Sequence, residues 1–250
     1  MNNKVTIVTI SFNAVKDIED TILSVINQTY PYVEYIVIDG GSNDGTVDII
    51  KKYNSEISYC VSESDKGIYD AMNKGIKAAT GEWILFMNSG DTFHNEYVLE
   101  RIFSQSYNDN VGVIWGNTDL YRDGRYVTKY KNRPFYEHLS TAFRGVGICH
   151  QSTFVRTSLA KQLMFDTSYR ITADFNMMYL IYKQGYTFVY NPITISHFDL
   201  SGISSTKVSK IFIAETKRVI HYKYNRLYYW GYVYIYHKLK KFAKYLLGRK

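Results

Sequence analysis

Four short polar clusters in the N-terminal half each follow an apolar run, and each carries side chains that can do chemistry: Thr9-Ile-Ser-Phe-Asn13, Asp39-Gly-Gly-Ser-Asn-Asp-Gly-Thr46, Glu63-Ser-Asp-Lys-Gly67 and Asn88-Ser-Gly-Asp91. In the second, the glycines permit tight turns and close approach of backbone to a ligand. Asp39 is placed to accept hydrogen bonds from the N–H of a base, although an ordinary Asp- and Gly-rich turn reads the same way. In the fourth, a carboxylate beyond a hydrophobic run suits a hard cation that bridges two phosphates, Mg²⁺ or Mn²⁺. Only Asp91 offers a carboxylate there, and an N-cap for a helix over 96–103 accounts for it equally well. Neither Gly-x-Gly-x-x-Gly nor Gly-Lys-Ser/Thr occurs, which argues against a dinucleotide fold and a P-loop.

The elements that must position these clusters alternate. Val5–Ile10, Tyr35–Asp39, Ile57–Ser62, Trp83–Met87 and Val111–Trp115 read as buried strands. Helices are predicted over Asp17–Asn27, with Ile18, Ile22 and Val25 at helical spacing, over Thr46–Tyr53, and over Ile68–Ala79 with Ile68, Met72, Ile76 and Ala79 on one face. Strands alternating with helices imply an α/β fold with a mostly parallel sheet, whose ligand site lies beyond the carboxyl ends of the strands. All four clusters fall on that edge. Further on, Thr118–Tyr130 reads as a hairpin turning at Asp123-Gly124, Arg133–His150 is irregular, and Thr172–Gln184 is a helix ending at Gly185. Tyr186–Tyr190 is a strand, and two helices near Thr206–His221 and Arg226–Leu247 close the chain.

The 250 residues suffice for one substantial core and an appendage. Cys60 and Cys149 are too few and too far apart for a disulfide framework or a zinc site, and reduced thiols in a cytoplasmic protein are expected. Met1-Asn2-Asn3-Lys4 runs straight into a strand pattern, so no signal peptide is expected. No apolar run reaches the roughly 18 residues of a membrane span. The formal charge of +7 is uneven: residues 207–250 hold twelve Lys or Arg and one acid, Glu215. The rest holds eighteen basic against twenty-two acidic side chains, a net of −4. The basicity belongs to the tail.

In order and spacing, these motifs resemble family 2 glycosyltransferases of the GT-A fold, of the bacterial surface-polysaccharide type. The resemblance rests on Thr9-Ile-Ser-Phe-Asn13, the Asp39 to Thr46 turn, Asp65-Lys-Gly-Ile-Tyr-Asp-Ala-Met-Asn-Lys-Gly75 and Gly81-Glu-Trp-Ile-Leu-Phe-Met-Asn-Ser-Gly-Asp91, and covers roughly residues 4–205. It implies a GT-A domain over 1–205, with a nucleotide-binding half (1–116) and an acceptor half (117–205), followed by a basic, aromatic-rich helical tail over 206–250.

The resemblance also implies roles. Asp39 would contact uracil or another base, with Thr9 and Phe12 lining its pocket. Asp65 and Asn73 would hold the nucleoside. Asp91 matches the last carboxylate of the Asp-x-Asp metal motif, with Asn88 in the weaker position. Relatives place Arg near the diphosphate where this chain has Met72, and Lys66 is the expected substitute charge. Asp174 matches the catalytic base of an inverting transfer, which deprotonates the acceptor hydroxyl. Where relatives have Glu-Asp this chain has Ala173-Asp174, so the preceding acid is missing. A first-turn helix charge is the bland reading of Asp174. His197 matches a late metal or phosphate contact. His150 and Gln151 match a segment lining acceptor or donor sugar, and Ser201-Gly-Ile-Ser204 a segment closing over the donor.

The expected activity is a metal-dependent inverting transfer from a nucleoside-diphosphate sugar, UDP-linked, to a hydroxyl of a glycan or polyprenyl-linked glycan. A sugar nucleotidylyltransferase would need a glycine-rich basic loop after the first strand, where Ser11-Phe-Asn-Ala-Val-Lys16 stands instead. A nucleotide-sugar-binding module without turnover is the other alternative. In the tail, aromatics such as Tyr228, Trp230 and Tyr232 mix with Lys238, Lys240 and Lys241, which suits peripheral contact with an anionic membrane face. Packing of those aromatics on the body is the competing reading. No motif supports nucleic-acid binding.

Overall fold

The computed structural model describes residues 4–122, 124–130, 149–200 and 209–219. Strands β1 (Val5–Ser11), β2 (Val33–Asp39), β3 (Tyr59–Ser62) and β4 (Trp83–Phe86) alternate with helices α1 (Ile18–Ile26), α2 (Thr46–Lys52) and α3 (Ile68–Ala78). After them come β5 (Thr92–Phe93), α4 (Val98–Phe103), β6 (Val111–Arg122), β7 (Arg125–Tyr130), a 3₁₀ turn (His150–Ser152), β8 (Thr153–Arg156), α5 (Thr157–Leu163), α6 (Ala173–Lys183), β9 (Thr187–Asp199) and α7 (Ser209–Val219).

One nine-stranded sheet runs β3-β2-β1-β4-β8-β6-β9-β5, with β7 added to β6. Pairing is parallel through β3-β2-β1-β4 and again between β6 and β9; it is antiparallel where β8, β7 and β5 join. β1 and β2 are buried on both faces, each face lined mainly by apolar side chains, with Thr6, Thr9, Ser11, Glu34 and Asp39 as buried polar exceptions. Val5, Ile7, Tyr35, Val37, Trp83 and Leu85 enter one core, with Ile18, Ile22 and Val25 of α1. Val8, Ile10, Ile36, Ile38, Ile84 and Phe86 enter the other, with Met72 and Ile76 of α3 and Phe175 and Ile181 of α6. The in-register parallel pairing sorts these residues, since it sets Ile7 beside Tyr35 and Val8 beside Ile36. Gly75 lets α3 lie close on β1: a Cβ there would meet Val8 Cγ1 at 2.5 Å.

Several elements differ from expectation. The strand expected over Val111–Trp115 continues to Arg122, and that over Tyr186–Tyr190 starts at Thr187 and runs to Asp199. Three irregularities in their shared register, and Pro192 inside β9, break the apolar alternation that marks a strand. β8 and α5 had no clear sequence signal. α3 buries Tyr69, Met72 and Ile76, whereas Ile68 is exposed. α7 packs into the body, with Val219 in the core that includes α6. The expected turn residue Asp123, most of the stretch 133–150 expected to be irregular, Ser201–Ser204 and the helix expected over 226–247 lie outside the described residues. Among the described residues no helix is long and apolar enough to cross a membrane.

Candidate active site

At the carboxyl edge of β1 and β2 the loops are stitched together. Asn13 N donates to Ser42 Oγ at 2.8 Å, Ala14 N to Thr46 Oγ1 at 2.8 Å, and Asn43 N to Asn13 Oδ1 at 3.1 Å. Asp39 organises this edge from inside. Its carboxylate is fully buried and accepts from Ser11 Oγ (2.9 Å), Ser62 Oγ (2.6 Å), Gly41 N (3.1 Å), and both N (2.8 Å) and Oγ of Ser42. Burial alone would push its pKa up, but the donors from Ser42, Ser62 and Ser11 outweigh it and hold the carboxyl below its ordinary value.

Above Asp39 the residues open to solvent. Phe12 is 64% exposed, and Gly40 sits between it and Asp65: a Cβ on Gly40 would meet Asp65 Oδ2 at 2.5 Å and Phe12 Cδ2 at 3.2 Å. The absent side chain leaves a shelf with an aromatic face and a carboxylate. Asp65 is steadied by Gly67 N at 2.8 Å. Lys66 is exposed beside it, its backbone N–H bound to Asp70. Thr9 and Asn73 are used elsewhere. Thr9 is buried below the edge, its hydroxyl 3.0 Å from Tyr35 Oη. The Asn73 amide clasps the backbone of Phe165, accepting from its N–H at 2.8 Å and donating to its carbonyl at 2.9 Å.

Beyond β4 the two halves of the chain meet. Asp91 is 5% exposed, and Gln151 Nε2 donates to its Oδ2 at 2.7 Å. The Cys149 thiol donates to Gln151 Oε1 at 2.7 Å, which turns the amide nitrogen toward Asp91. The neighbouring His150 lies 3.0 Å from Asn88 Nδ2 through Nε2 and 3.4 Å from Asp174 Oδ2 through Nδ1. Two consecutive residues thus tie Asn88 and Asp91 to Asp174. Asp91 does not cap the following helix: β5 intervenes, and α4 opens at Tyr97. Asp174 lies in the first turn of α6, its Oδ1 3.5 Å from the Tyr69 hydroxyl.

The charge in this cluster is poorly solvated. Burial pushes the Asp91 pKa up to about 7, against the lowering effects of Gln151 and His150, and the Asp199 carboxylate adds to the rise. Asn88 Oδ1 is buried with no hydrogen-bond partner. The Asp91 carboxylate and the unpartnered Asn88 Oδ1 are oxygen donors of the kind a hard divalent cation takes.

His197 is grouped differently. β9 pairs it with Thr92 of β5 and Asp119 of β6, and its Nε2 lies 2.8 Å from His94 Nδ1. His94 Nδ1 lies 3.5 Å from Asp119 Oδ2, and the three ligand atoms fall within 4.8 Å of one another. Burial, then the His94 charge, lowers the His197 pKa, which favours the neutral, metal-binding imidazole. This two-His, one-Asp set suits a borderline transition metal. The expected pairing of His197 with Asp91 is therefore not the grouping observed. Neither His94 nor Asp119 stands out in the sequence, because only the β5–β9 and β6–β9 pairings bring them to His197.

A parallel sheet half that gathers polar loops at its carboxyl edge, continued by an antiparallel half, is the architecture of the GT-A class. The chain belongs to glycosyltransferase family 2: residues 6–166 match the profile of Glycosyl transferase family 2. An uncharacterized glycosyltransferase of Mycobacterium tuberculosis is 31% identical over 232 residues, 88% of this chain and 85% of the relative. The putative teichuronic acid biosynthesis glycosyltransferase TuaG of Bacillus subtilis is 31% identical over 140 residues, 52% of this chain and 53% of that protein. In fold the chain is similar to S. aureus TarS 1-349 in complex with UDP-GlcNAc, with a TM-score of 0.69 and 20% identity over 87% of this chain. It spans 65% of that TarS chain. It is also similar to the mannosyltransferase PcManGT of Pyrobaculum calidifontis in complex with GDP-Man and Mn²⁺, with a TM-score of 0.63 and 17% identity over 89% of this chain and 71% of that one.

Proposed function

We propose that this chain is an inverting glycosyltransferase that moves a sugar from a UDP-linked donor to a hydroxyl of a glycan or polyprenyl-linked glycan during surface-polysaccharide synthesis. The observation that carries the reading is the bridge of His150 and Gln151, which brings Asp174 and Asp91 into one cluster. TuaG, named for teichuronic acid biosynthesis, and TarS, crystallised with UDP-GlcNAc, support the substrate class.

Phe12 offers its face to the base while Asp39 shapes the loop beneath, and Asp65 stands at the ribose side of the shelf. Asp174 removes the proton of the incoming hydroxyl, and His150 orients its carboxylate. Asn88 and Asp91 would hold a divalent cation, Mn²⁺ or Mg²⁺, which when bound supplies positive charge against the departing diphosphate. His197 is then a neighbour of that site through β5, and Lys66 supplies further positive charge. Holding the hydroxyl in line with the breaking bond contributes the rest of the rate. The tail, on this reading, keeps the enzyme at the cytoplasmic face of the membrane, where a lipid-linked acceptor is found.

The test is turnover with UDP-, GDP- and dTDP-sugars in the presence of Mn²⁺ or Mg²⁺, comparing wild type with Asp174→Asn. Release of nucleoside diphosphate by the wild type alone supports the reading. Nucleotide binding by both proteins with release by neither points to a silent binding module.

A further inference from the structure

The only acid among residues 207–250, Glu215, faces the segment that leads into Asp174. Its Oε1 accepts from Arg170 N at 2.8 Å, and its Oε2 accepts from Ile171 N, Thr172 N and Thr172 Oγ1, each at 3.1 Å. α6 begins one residue later, and its N-cap Thr172 makes no side-chain capping bond of its own. The carboxylate that satisfies the backbone leading into this helix therefore comes from α7.

The rest of the segment is fastened in the same manner. Arg218, one turn further along α7, donates to Ser168 Oγ at 2.6 Å and lies 4.1 Å over the Tyr169 ring. Asn73 of α3 holds Phe165. The segment before α6 is thus held by α3 at one end and by α7 at the other, and Asp174 stands two residues beyond the last Glu215 contact. The family match ends at residue 166, so neither Asp174 nor α7 falls within it.

From this we infer that Glu215 is a positioning residue for the transfer reaction: α7 sets the height and direction of Asp174, and what reads as a tail begins with a working part of the active site. The inference rests on the reading of Asp174 as base. A carboxylate that takes a proton during in-line attack must be held to a fraction of an ångström, and misplacement by about 1 Å can cost on the order of 100-fold in rate. On the proposed reading the base and ribose sit on the β1–β3 edge, where the described contacts of α7 do not reach.

The experiment compares full-length wild type with Glu215→Gln, Glu215→Ala and Asp174→Asn. It measures kcat, donor KM, UDP affinity by calorimetry, thermal midpoint, and the ring-proton resonances of His150, which touches Asp174. The expected result for Glu215→Ala is a fall in kcat of about tenfold or more, within the range of such misplacement, with donor KM and UDP affinity nearly unchanged. Glu215→Gln, which keeps one acceptor oxygen, falls less. In both, the His150 resonances move although Glu215 does not touch that ring. Should the Ala variant fail to fold, the Gln variant carries the same test. Wild-type kcat and unmoved His150 resonances in a folded Glu215 variant would overturn the inference, as would a loss of kcat matched by an equal loss of UDP binding. Wild-type turnover by Asp174→Asn would instead remove the base on which the inference rests.

Discussion

Gln151 donates its side-chain amide to Asp91 Oδ2 at 2.7 Å, a bond between two side chains that are each at least 95% buried. It joins the end of the parallel half-sheet to the segment that carries His150 and, through it, Asp174. Replacing Gln151 with Leu removes a donor from a buried carboxylate and costs roughly 1–3 kcal/mol of stability. Chemical denaturation of both proteins at pH 8 checks this, and an unchanged free energy would mean that the bond contributes nothing.

Asp91 also sets a pH dependence. Its folded pKa of about 7 lies above the ordinary carboxylate value, so the folded state binds its proton more tightly than the unfolded state does. The stability this contributes is complete below the unfolded value near 4 and is lost as pH rises to about 7. Metal-free protein is therefore expected to melt at a lower temperature at pH 8 than at pH 5.5. Asp91→Asn flattens that difference, and thermal scans of both proteins across the range decide it.

Phe12 is a prediction about binding without stability. Its ring is exposed above Gly40, so Phe12→Ala loses little packing, but it removes a stacking face worth about 1 kcal/mol. UDP affinity by calorimetry is expected to fall about fivefold to tenfold, in line with that energy, at an unchanged thermal midpoint. Equal affinity would place the base elsewhere.

Two donor sets could hold a cation, the oxygens of Asn88 and Asp91 and the trio His94, Asp119 and His197. With UDP present, Mn²⁺ binding followed by electron paramagnetic resonance is expected to vanish in Asp91→Asn and to survive in His94→Gln. The opposite pattern would move the ion to the trio.

The strands, helices and polar loops of residues 5–91 were legible in the sequence because each lies within one short stretch, and apolar runs and glycine-rich turns are local signals, whereas β5 (Thr92–Phe93) was not. The motifs that carry Asp39, Asp65, Asp91 and Asp174 stand out in the sequence, but not the partners of Asp39, which was expected at a base and is instead buried with Ser11, Gly41, Ser42 and Ser62 on its oxygens. What was not legible depends on register and on distant pairs. Asp119 meets His197 only through the β6–β9 pairing, and Asn73 meets Phe165 from 92 positions away. Glu215 caps a segment more than 40 residues upstream. In the sequence, Asn73 looks like a nucleoside ligand and Glu215 like a stray acid, since a side chain's partner is fixed by packing that no local pattern encodes.

The most direct measurement is the rate of UDP release from a UDP-sugar with its acceptor, for wild type and Asp174→Asn, alongside UDP affinity for both. Loss of the base is expected to slow turnover by about 10²- to 10⁴-fold, the usual contribution of general base catalysis, at unchanged affinity. An Asp174→Asn enzyme that releases UDP as fast as wild type would contradict the account.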